Sequence, residues 1–166
     1  DVAQQLSESQ KRLAAIIETA VDGFITIDDR GVVLSVNPAC ERIFGYGAAE
    51  MLGQNVKMLM PEPYRREHDG YIANYNTSGR PKIIGIGREV EGRRKDGSTF
   101  PLDLSVAKVN LGRQTLYSGI VRDISQRKQY EQQILEANAE LEEFSYRTSH
   151  DLRSPIASSI GMVSIV

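Results

Sequence analysis

The sequence predicts an α+β fold, in which a five-stranded antiparallel sheet carries short helices on one face and is flanked by an N-terminal helix and a C-terminal coiled-coil helix. Three observations predict it. Two β-rich runs precede residue 37 and three follow residue 83, whereas the segments between the two groups are typical of short helices. From residue 126 to residue 144 the chain then lacks glycine and proline and carries a heptad pattern. The expected ligand site is a cavity between the sheet and the helices.

Length and composition indicate one soluble globular domain plus an extended helix. The chain has 166 residues, of which 40% are hydrophobic and 25% are charged, and its net charge of -2 gives no reason to expect a nucleic-acid partner. The single cysteine, Cys40, excludes an internal disulfide and argues against a thiolate zinc site. No apolar run approaches the roughly 20 residues that a bilayer requires, so we expect a cytoplasmic location, although the parent protein could be membrane-anchored upstream.

The first two predicted elements are a helix and a hairpin. The segment 1–20 places Leu6, Leu13, Ile16 and Ile17 on one stripe, which predicts an amphipathic helix. The following segment, GFITIDDRGVVLSVN, has two β-rich runs around a polar DDRG turn and therefore predicts a hairpin.

Short helices are predicted between the hairpin and the later strands. Asn37 is a candidate N-cap, Pro38 suits the first helical position, and the helix they begin should end near Gly45. Further helical segments are predicted at 48–52 and 62–76.

Three β-rich runs complete the predicted sheet, at 83–94, 98–109 and 115–124. In the middle run apolar residues alternate with polar or small ones, which predicts a strand with one buried face. These apolar residues are Phe100, Leu102, Leu104 and Val106.

The C-terminal segment predicts a coiled coil. The residues of its stripe follow one another at alternating spacings of four and three residues, which is the heptad pattern. They are Tyr130, Ile134, Ala137, Leu141, Phe144 and Thr148. A lone helix would leave that stripe in water, so we expect a homodimer through this helix, with the N-terminal helix contributing. Packing of the stripe against its own domain is the alternative.

The predicted organisation has four parts. They are an N-terminal amphipathic helix (1–20), a globular domain (21–124), a coiled-coil linker (125–146) and the start of a further helical domain (147–166). The last letters, SIGMVSIV, stop in mid-pattern, so we expect more protein to follow. Where the last strand meets the coiled coil, we expect Asp123 to cap the helix and fix its angle to the sheet.

One of the two histidines lies among apolar side chains. On the helix predicted at 62–76, His68 shares a face with Tyr64, Tyr71 and Ile72. A core or rim histidine whose ring nitrogens bond to backbone carbonyls explains this position, and so does a ligand role.

Arg88 stands near the end of the run PKIIGIGREV, which has two glycines in a β context. Glycine in a strand often marks a place where a ligand or another backbone approaches closely. Arg88 is therefore a candidate to face His68 across a cavity, and a solvated charge at the end of a strand is the alternative.

Four segments together resemble a PAS domain, and specifically the haem-bearing PAS domain of the oxygen-sensing FixL family of histidine kinases. The segments are TIDDRGVVLSVNPACERIFGY, EMLGQNVKMLMPEPYRREHDGYI, IIGIGREVEGRRKDGSTFPLDLSV and GIVRDIS. The resemblance covers about residues 10–125. Its specific part is MPEPYRREHDGYI together with IIGIGR, and the rest is generic to PAS domains.

This resemblance implies a haem b site. His68 would be the axial ligand, donating Nε2 to the iron and leaving the sixth position open for O₂ or another diatomic gas. Arg88 would be the distal hydrogen-bond donor to the gas. The apolar distal wall and the space above the porphyrin would come from Ile83, Leu104, Val106 and Gly119.

Two positions depart from the family near the haem propionates. Where close family members carry basic groups, this chain has Asn74 and Lys82. Lys82 preserves a positive charge and Asn74 does not, so the propionate contacts would differ from those of the family.

Other ligands and roles compete with haem. Flavin-binding LOV photosensors share the PAS fold, but the position of their reactive cysteine is Val56 here, and Cys40 lies in an earlier helix, so a flavin–cysteinyl adduct cannot form. A PAS module without a cofactor, acting as a dimeric relay, stays open. A free-standing haem enzyme has little support, because no second acid–base group near Arg88 suggests peroxide chemistry.

The second histidine lies outside the coiled-coil stripe. His150 is two residues beyond Thr148, about 200° around the helix, and an exposed histidine with no task is one interpretation. The segment SHDLRSPI, however, resembles the H-box of sensor histidine kinases. That resemblance implies that His150 is the phosphoacceptor and that Asp151 holds its tautomer or accepts a proton. ATP and a response regulator would then be partners of the complete kinase, since no ATP-binding motif lies within this sequence.

Overall fold

The computed structural model describes residues 1–70 and 87–163, with side chains described up to residue 153. The chain divides into two compact units, Asp1–Ser125 and Gln126–Val166. The sheet lies in the first unit, and the second is helical.

The first unit begins with helices and a hairpin. In chain order these are α1 (Val2–Thr19), β1 (Gly23–Asp28), β2 (Val33–Val36), α2 (Pro38–Phe44), α3 (Ala48–Met51), a 3₁₀ turn (Val56–Leu59) and a helical segment at 64–70, here α4. The remaining elements are β3 (Arg88–Arg93), β4 (Thr99–Leu111), β5 (Gln114–Asp123) and α5 (Ser125–Val163).

The five strands described form one antiparallel sheet in the order β2-β1-β5-β4-β3. This arrangement confirms the predicted α+β architecture. The register sets Gly119 of β5 opposite Val106 of β4 on one side and Ile25 of β1 on the other. Because directly opposed residues of antiparallel strands share a face, these three positions form one row on the inner side of the sheet.

An aspartate shapes the turn between β1 and β2. The Oδ1 atom of Asp28 accepts hydrogen bonds from the backbone N–H of Arg30 at 2.9 Å and from that of Val32 at 2.8 Å. Gly31, between them, has a φ of 81°, a left-handed conformation in which a Cβ is strained. The predicted DDRG turn is therefore confirmed, with its aspartate and glycine supplying the turn chemistry.

One buried asparagine joins three elements. Asn37 is 3% exposed. Its Oδ1 atom accepts from the backbone N–H of Phe24 at 2.8 Å and of Cys40 at 3.3 Å. Its Nδ2 atom donates to the carbonyls of Ile17 and Asp22, each at 3.0 Å. The predicted N-cap is thus confirmed, and the same side chain also ties α1 and β1 to the start of α2.

The hydrophobic core lies between the inner face of the sheet and the short helices. Its buried residues are Ile25, Val33, Cys40, Phe44, Met51, Val56, Leu59, Phe100, Leu102 and Val121. Phe44 meets Phe100 edge to face, with ring centroids 5.6 Å apart. Gly92 permits this packing, because a Cβ at that position would lie 2.5 Å from Cδ2 of Leu102 and 2.9 Å from the Phe100 ring.

Two strand boundaries differ from the prediction. The strand predicted at 83–94 is described from Arg88 to Arg93, and residues 83–86 lie outside the described part of the chain. The strand predicted at 98–109 extends to Leu111, because Gly112 adopts a φ of 61° and closes a tight turn there.

The helical segments agree in part with the prediction. Of the helix predicted at 62–76, residues 64–70 are described and are helical. The 3₁₀ turn was not predicted, because four residues are too few to show a helical period. Asn55 caps its start, because the Oδ1 atom of Asn55 accepts from the backbone N–H of Lys57 at 3.0 Å.

The two flanking helices keep their apolar stripes exposed in a single chain. α1 has no buried residue, and Leu6, Leu13 and Ile16 are 59%, 58% and 58% exposed. In α5 the exposed large apolar residues include Tyr130, Ile134, Leu141 and Phe144. Within the described residues, no helix has the length and apolar character needed to cross a membrane.

Candidate functional site

A mostly apolar cavity lies between the sheet and the helices of the first unit. Its volume is about 90 Å³. The apolar wall includes Ile25, Ile27, Phe44, Leu104, Val106 and Val121. The cavity therefore lies where the sequence predicted a ligand site, with the inner sheet face as one wall.

His68 contributes a polar group to this wall from α4. The imidazole lines the cavity and is half-buried. Its Nδ1 atom is buried and has no hydrogen-bond partner among the described residues. The backbone-carbonyl partner expected of an ordinary core histidine is therefore not seen at Nδ1 in the described part of the chain. A buried polar atom without a partner is costly, and such atoms often mark a functional group.

Burial sets the protonation state of this imidazole. Desolvation lowers the pKa of His68 below the ordinary value of 6.5, the Asp69 carboxylate raises that pKa, and the Lys57 ammonium lowers it. Lys57 and Asp69 also form an ion pair with each other. The net change is downward, so the ring is neutral at pH 7. A neutral imidazole is the form that can donate a lone pair to a metal.

The sheet supplies three of the predicted cavity residues. Leu104, Val106 and Gly119 all line the same cavity as His68. A Cβ at Gly119 would lie 3.8 Å from Cδ1 of Leu104 and 3.8 Å from the carbonyl oxygen of Ile25, which are ordinary contact distances. A methyl group at this position would therefore fit on the inner face of the sheet in ordinary van der Waals contact.

Arg88 lies at the border of this site. It is the first residue of β3 and pairs with Leu104 of β4, so the register places it on the cavity side of the sheet. Its side chain is exposed, and Arg88 is not among the described residues that line the cavity. Its distal role stays a prediction. Lys82 and Ile83, also predicted at this site, lie outside the described residues, as does Asn74.

Further cavity residues were not singled out from the sequence. They include Ile27 on β1, Val90 on β3, Tyr117 on β5 and Met60 after the 3₁₀ turn. Strand alternation could have identified Ile27 and Tyr117, because each lies two residues from another inward position. Val56 also lines the cavity, so the position that carries the reactive cysteine in LOV domains faces this site with a branched apolar side chain.

A carboxylate organises the end of the sheet where α5 begins. The Oδ1 atom of Asp123 accepts from the Ser125 backbone N–H at 2.9 Å and from its hydroxyl at 2.6 Å, and Oδ2 accepts from the Arg94 guanidinium at 2.7 Å. Arg94 also lies 3.9 Å above the Phe100 ring centroid. Burial by itself raises the pKa of Asp123, but the hydrogen bonds from Ser125 and Arg94 together hold that pKa below its usual value. The capping role expected of Asp123 is confirmed.

The second candidate site lies on α5. The side chains of His150 and Asp151 are 69% and 83% exposed, and Nδ1 of His150 is 3.7 Å from Oδ1 of Asp151, beyond hydrogen-bond distance. One turn earlier, the Tyr146 ring stacks on the imidazole, with centroids 6.3 Å apart and an interplanar angle of 27°. Sequence reasoning missed Tyr146, although its i, i+4 spacing from His150 was visible.

Comparison with known proteins identifies the family. The family model described as the PAS fold matches residues 11–124. The chain belongs to the PAS family. Among solved structures, this PAS chain is similar to the PAS domain of an HTR-like protein from Haloarcula marismortui, with a TM-score of 0.60 and 25% identity over 74% of this chain and 97% of that one.

Two curated relatives of this PAS chain are histidine kinases or sensor proteins. The chain is 38% identical over 162 residues to the sensor protein FixL of Bradyrhizobium diazoefficiens, which covers 92% of the chain and 32% of FixL. It is 31% identical over 173 residues to the cell-division control histidine kinase PdhS of Brucella anthropi, which covers 100% of the chain and 16% of PdhS. The predicted resemblance to a FixL-like PAS region is therefore confirmed. The chain spans about a third of FixL and a smaller share of PdhS.

Proposed function

We propose that this chain is the sensor region of a two-component histidine kinase. Its PAS domain binds haem b to sense O₂, another diatomic gas or a redox state, and a coiled coil passes the signal to the phosphoacceptor His150. The observation that carries the haem assignment is the half-buried, neutral imidazole of His68, which lines an apolar cavity and whose Nδ1 atom is not held by a backbone carbonyl among the described residues. The similarity to the sensor protein FixL supports the same assignment.

The residues present suit the donor chemistry of a haem pocket. His68 would hold the group through a ring nitrogen, while Leu104 and Val106 keep water from the opposite side. When bound, haem would supply reversible binding of a diatomic gas. Arg88, on the cavity side of β3, would supply guanidinium donors to that gas.

The signal would leave the sensor through the end of the sheet. Gly119 and Asp123 lie on the same strand, so a displacement of the cavity wall is transmitted along β5 to the carboxylate that caps α5. In the complete kinase, α5 would dimerise and carry His150, and a response regulator would receive the phosphoryl group. The gas can shift the kinase equilibrium only by its differential affinity for two states, which is on the order of 1–3 kcal/mol.

A second candidate function is a PAS dimerisation and relay module without a cofactor. The cavity volume of about 90 Å³ favours it, because it is smaller than the roughly 300 Å³ at the lower end of small-molecule sites. A porphyrin would therefore require the wall carrying His68 and the sheet to move apart.

Visible absorption spectroscopy separates these two functions. The purified chain is mixed with haem, and the unbound haem is removed. The absorption spectrum is then recorded from the near ultraviolet to the red. A Soret band in the wild type that is lost in His68→Ala supports haem binding. His150→Ala is the matched control, because it removes the other histidine, which lies on α5, and should leave the band unchanged. A wild-type protein that retains no Soret band eliminates the haem sensor and leaves the relay module.

The phosphoacceptor role needs a separate experiment. In the complete kinase supplied with labelled ATP, His150→Ala should abolish acid-labile phosphate on histidine, whereas Arg153→Ala, one turn away on α5, should retain it. Undiminished labelling of the His150→Ala protein would exclude His150 as the acceptor without affecting the assignment of the sensor domain.

A further inference from the structure

An aromatic side chain lies against the imidazole of His150 on α5. The two rings are nearly parallel, at 27°, with centroids 6.3 Å apart. This distance lies within the range of about 4.5–7 Å at which offset aromatic pairs attract each other. The Tyr146 ring and the imidazole are therefore close enough to attract each other as an offset pair.

Both residues lie away from the apolar stripe of α5. Positions 146 and 150 are about 40° apart around the helix, whereas position 146 is about 160° from Phe144 and from Thr148, which belong to the stripe. Tyr146 is 72% exposed and the His150 side chain 69% exposed in the single chain. A dimer formed through the stripe would leave the pair uncovered, so the pair remains accessible to a phosphoryl donor.

A stacked ring suits a nucleophile that must react from the surface of a helix. An exposed imidazole samples several rotamers, and only some of them present a ring nitrogen to an incoming phosphorus. The neighbouring carboxylate of Asp151 is 3.7 Å from Nδ1, too far to fix the ring through a hydrogen bond. Stacking on Tyr146 is thus the contact by which the described structure orients this imidazole.

We propose that Tyr146 is a positioning residue for phosphorylation of His150, holding the imidazole in one rotamer on the outer face of α5 so that a ring nitrogen meets the phosphoryl donor. This inference rests on the proposed phosphoacceptor role of His150. In the transfer, the unprotonated nitrogen forms the N–P bond while the bond from phosphorus to the leaving group breaks. The proton on the other ring nitrogen then passes to water. The ring of Tyr146 takes no part in bond making.

Phosphoramidate tests this role on the 166-residue chain without an ATP-binding domain. Its P–N bond breaks as the imidazole attacks, and ammonia leaves with the bonding pair. The rate of phosphohistidine formation at position 150 is followed by mass spectrometry, with His68 as an internal reference because it is half-buried and lies in the other unit. Tyr146→Phe keeps the ring, and Tyr146→Leu keeps apolar bulk and helix propensity without a ring.

The two variants should behave differently. We expect Tyr146→Leu to react at His150 about 2- to 10-fold more slowly than the wild type, and Tyr146→Phe within about 2-fold of it, in line with the strength of aromatic stacking. Far-ultraviolet circular dichroism checks that both remain helical. Equal rates for the leucine variant and the wild type overturn the proposal. Equally slow rates for both variants also overturn it, because they assign the effect to the hydroxyl group and not to the stacked ring.

Nuclear magnetic resonance provides a readout that does not depend on phosphorylation. The ring protons of His150 should be shifted upfield by the aromatic ring in the wild type and in Tyr146→Phe, and this upfield displacement should be lost in Tyr146→Leu. Identical His150 resonances in all three proteins overturn the stacking. The resonances can show the stacking while the complete kinase with His150→Ala still incorporates labelled phosphate on histidine. That result would exclude His150 as the phosphoacceptor but would leave the ring contact established.

Discussion

Burial has opposite consequences for the two residues of the first unit whose side chains are usually reactive. It lowers the pKa of His68, so that the ring is neutral and can act as a lone-pair donor at neutral pH. It raises the pKa of the Cys40 thiol to about 11, so that the sulfur stays protonated and packs as a small apolar group beside Gly23. The same desolvation thus prepares one side chain for ligation and makes the other inert.

The depressed pKa of His68 predicts a pH-dependent stability. In the haem-free protein the unfolded chain binds a proton at His68 near pH 6.5, whereas the folded chain binds it only at lower pH. The stability that this group contributes is therefore fully present above about pH 6.5 and is lost as the pH falls toward the folded-state pKa. Urea unfolding of the wild type and of His68→Gln at pH 7.5 and pH 5 measures it. The wild type should lose more stability than the variant, and parallel losses would contradict the burial of a neutral ring.

Two glycines on the inner face of the sheet predict unequal effects of an added methyl group. Gly119→Ala should change the free energy of unfolding by less than about 1 kcal/mol, because its Cβ would meet Leu104 and Ile25 at 3.8 Å. Gly92→Ala should cost about 1–3 kcal/mol, because its Cβ would lie 2.5 Å from Leu102. Chemical denaturation of both variants gives the comparison. Similar losses at the two positions would mean that a methyl group does not fit at Gly119.

At the scale of elements, the first unit depends on polar side chains at the ends of helices and strands. Asn37 links α1, β1 and α2 through five side-chain hydrogen bonds, and Asp123 links β5 to the first residue of α5 and to Arg94. Each of these side chains replaces water around backbone groups that a helix end leaves without partners. Each junction therefore ties the first residues of a helix to the neighbouring strand.

Asn37→Ala should destabilise the first unit by about 2–4 kcal/mol, because it removes an N-cap and leaves the partly buried backbone N–H of Phe24 without its side-chain acceptor. Asn55→Ala is the matched control. That asparagine also caps a helical turn, but it makes one bond to Lys57 and one to Arg30 at a less buried position, so a loss of about 1 kcal/mol is expected. Thermal or urea unfolding measures both. Equal losses would show that the burial of Asn37 contributes little.

At the scale of the whole molecule, the apolar stripe of α5 is exposed in a single chain. Its four large residues are more than half exposed, among them Ile134 at 60% and Leu141 at 64%. Exposed apolar surface in this quantity on a helix with a heptad pattern favours association with a second copy.

Neighbouring residues of α5 allow a matched test of this association. Ile134 lies on the stripe and Leu135 does not, yet their exposures in the single chain are 60% and 64%. Ile134→Glu should convert a dimer into a monomer at micromolar concentration, because it buries unpaired like charges at the seam. Leu135→Glu should leave the dimer intact. Light scattering coupled to size exclusion measures the mass of each, and a monomeric wild type or an equal response of the two variants would exclude the stripe as the dimer interface.

The sequence by itself determined which segments form helices and strands and which face of each is apolar. The useful patterns were local, because each one reports how a single strand or helix presents its side chains. They are the alternation from Phe100 to Val106, the cap and proline at Asn37 and Pro38, and the heptad stripe of α5. The resemblance of the motifs then supplied the family. The local patterns were enough for the fold class, whereas the resemblance was needed to name His68, Leu104, Val106 and Gly119 as one site.

Only the tertiary structure decided which of these residues meet and what each one experiences. It placed His68 of α4 in the wall of a cavity that the sheet also lines, and left its Nδ1 atom without a partner among the described residues. It also placed Arg88 at the exposed edge of the site and set the cavity volume at about 90 Å³. It also brought Tyr146 onto His150. Spacing along a chain fixes the direction of a side chain on its own element, but burial, pKa and cavity size depend on atoms contributed by elements distant in sequence, whose approach no local pattern encodes.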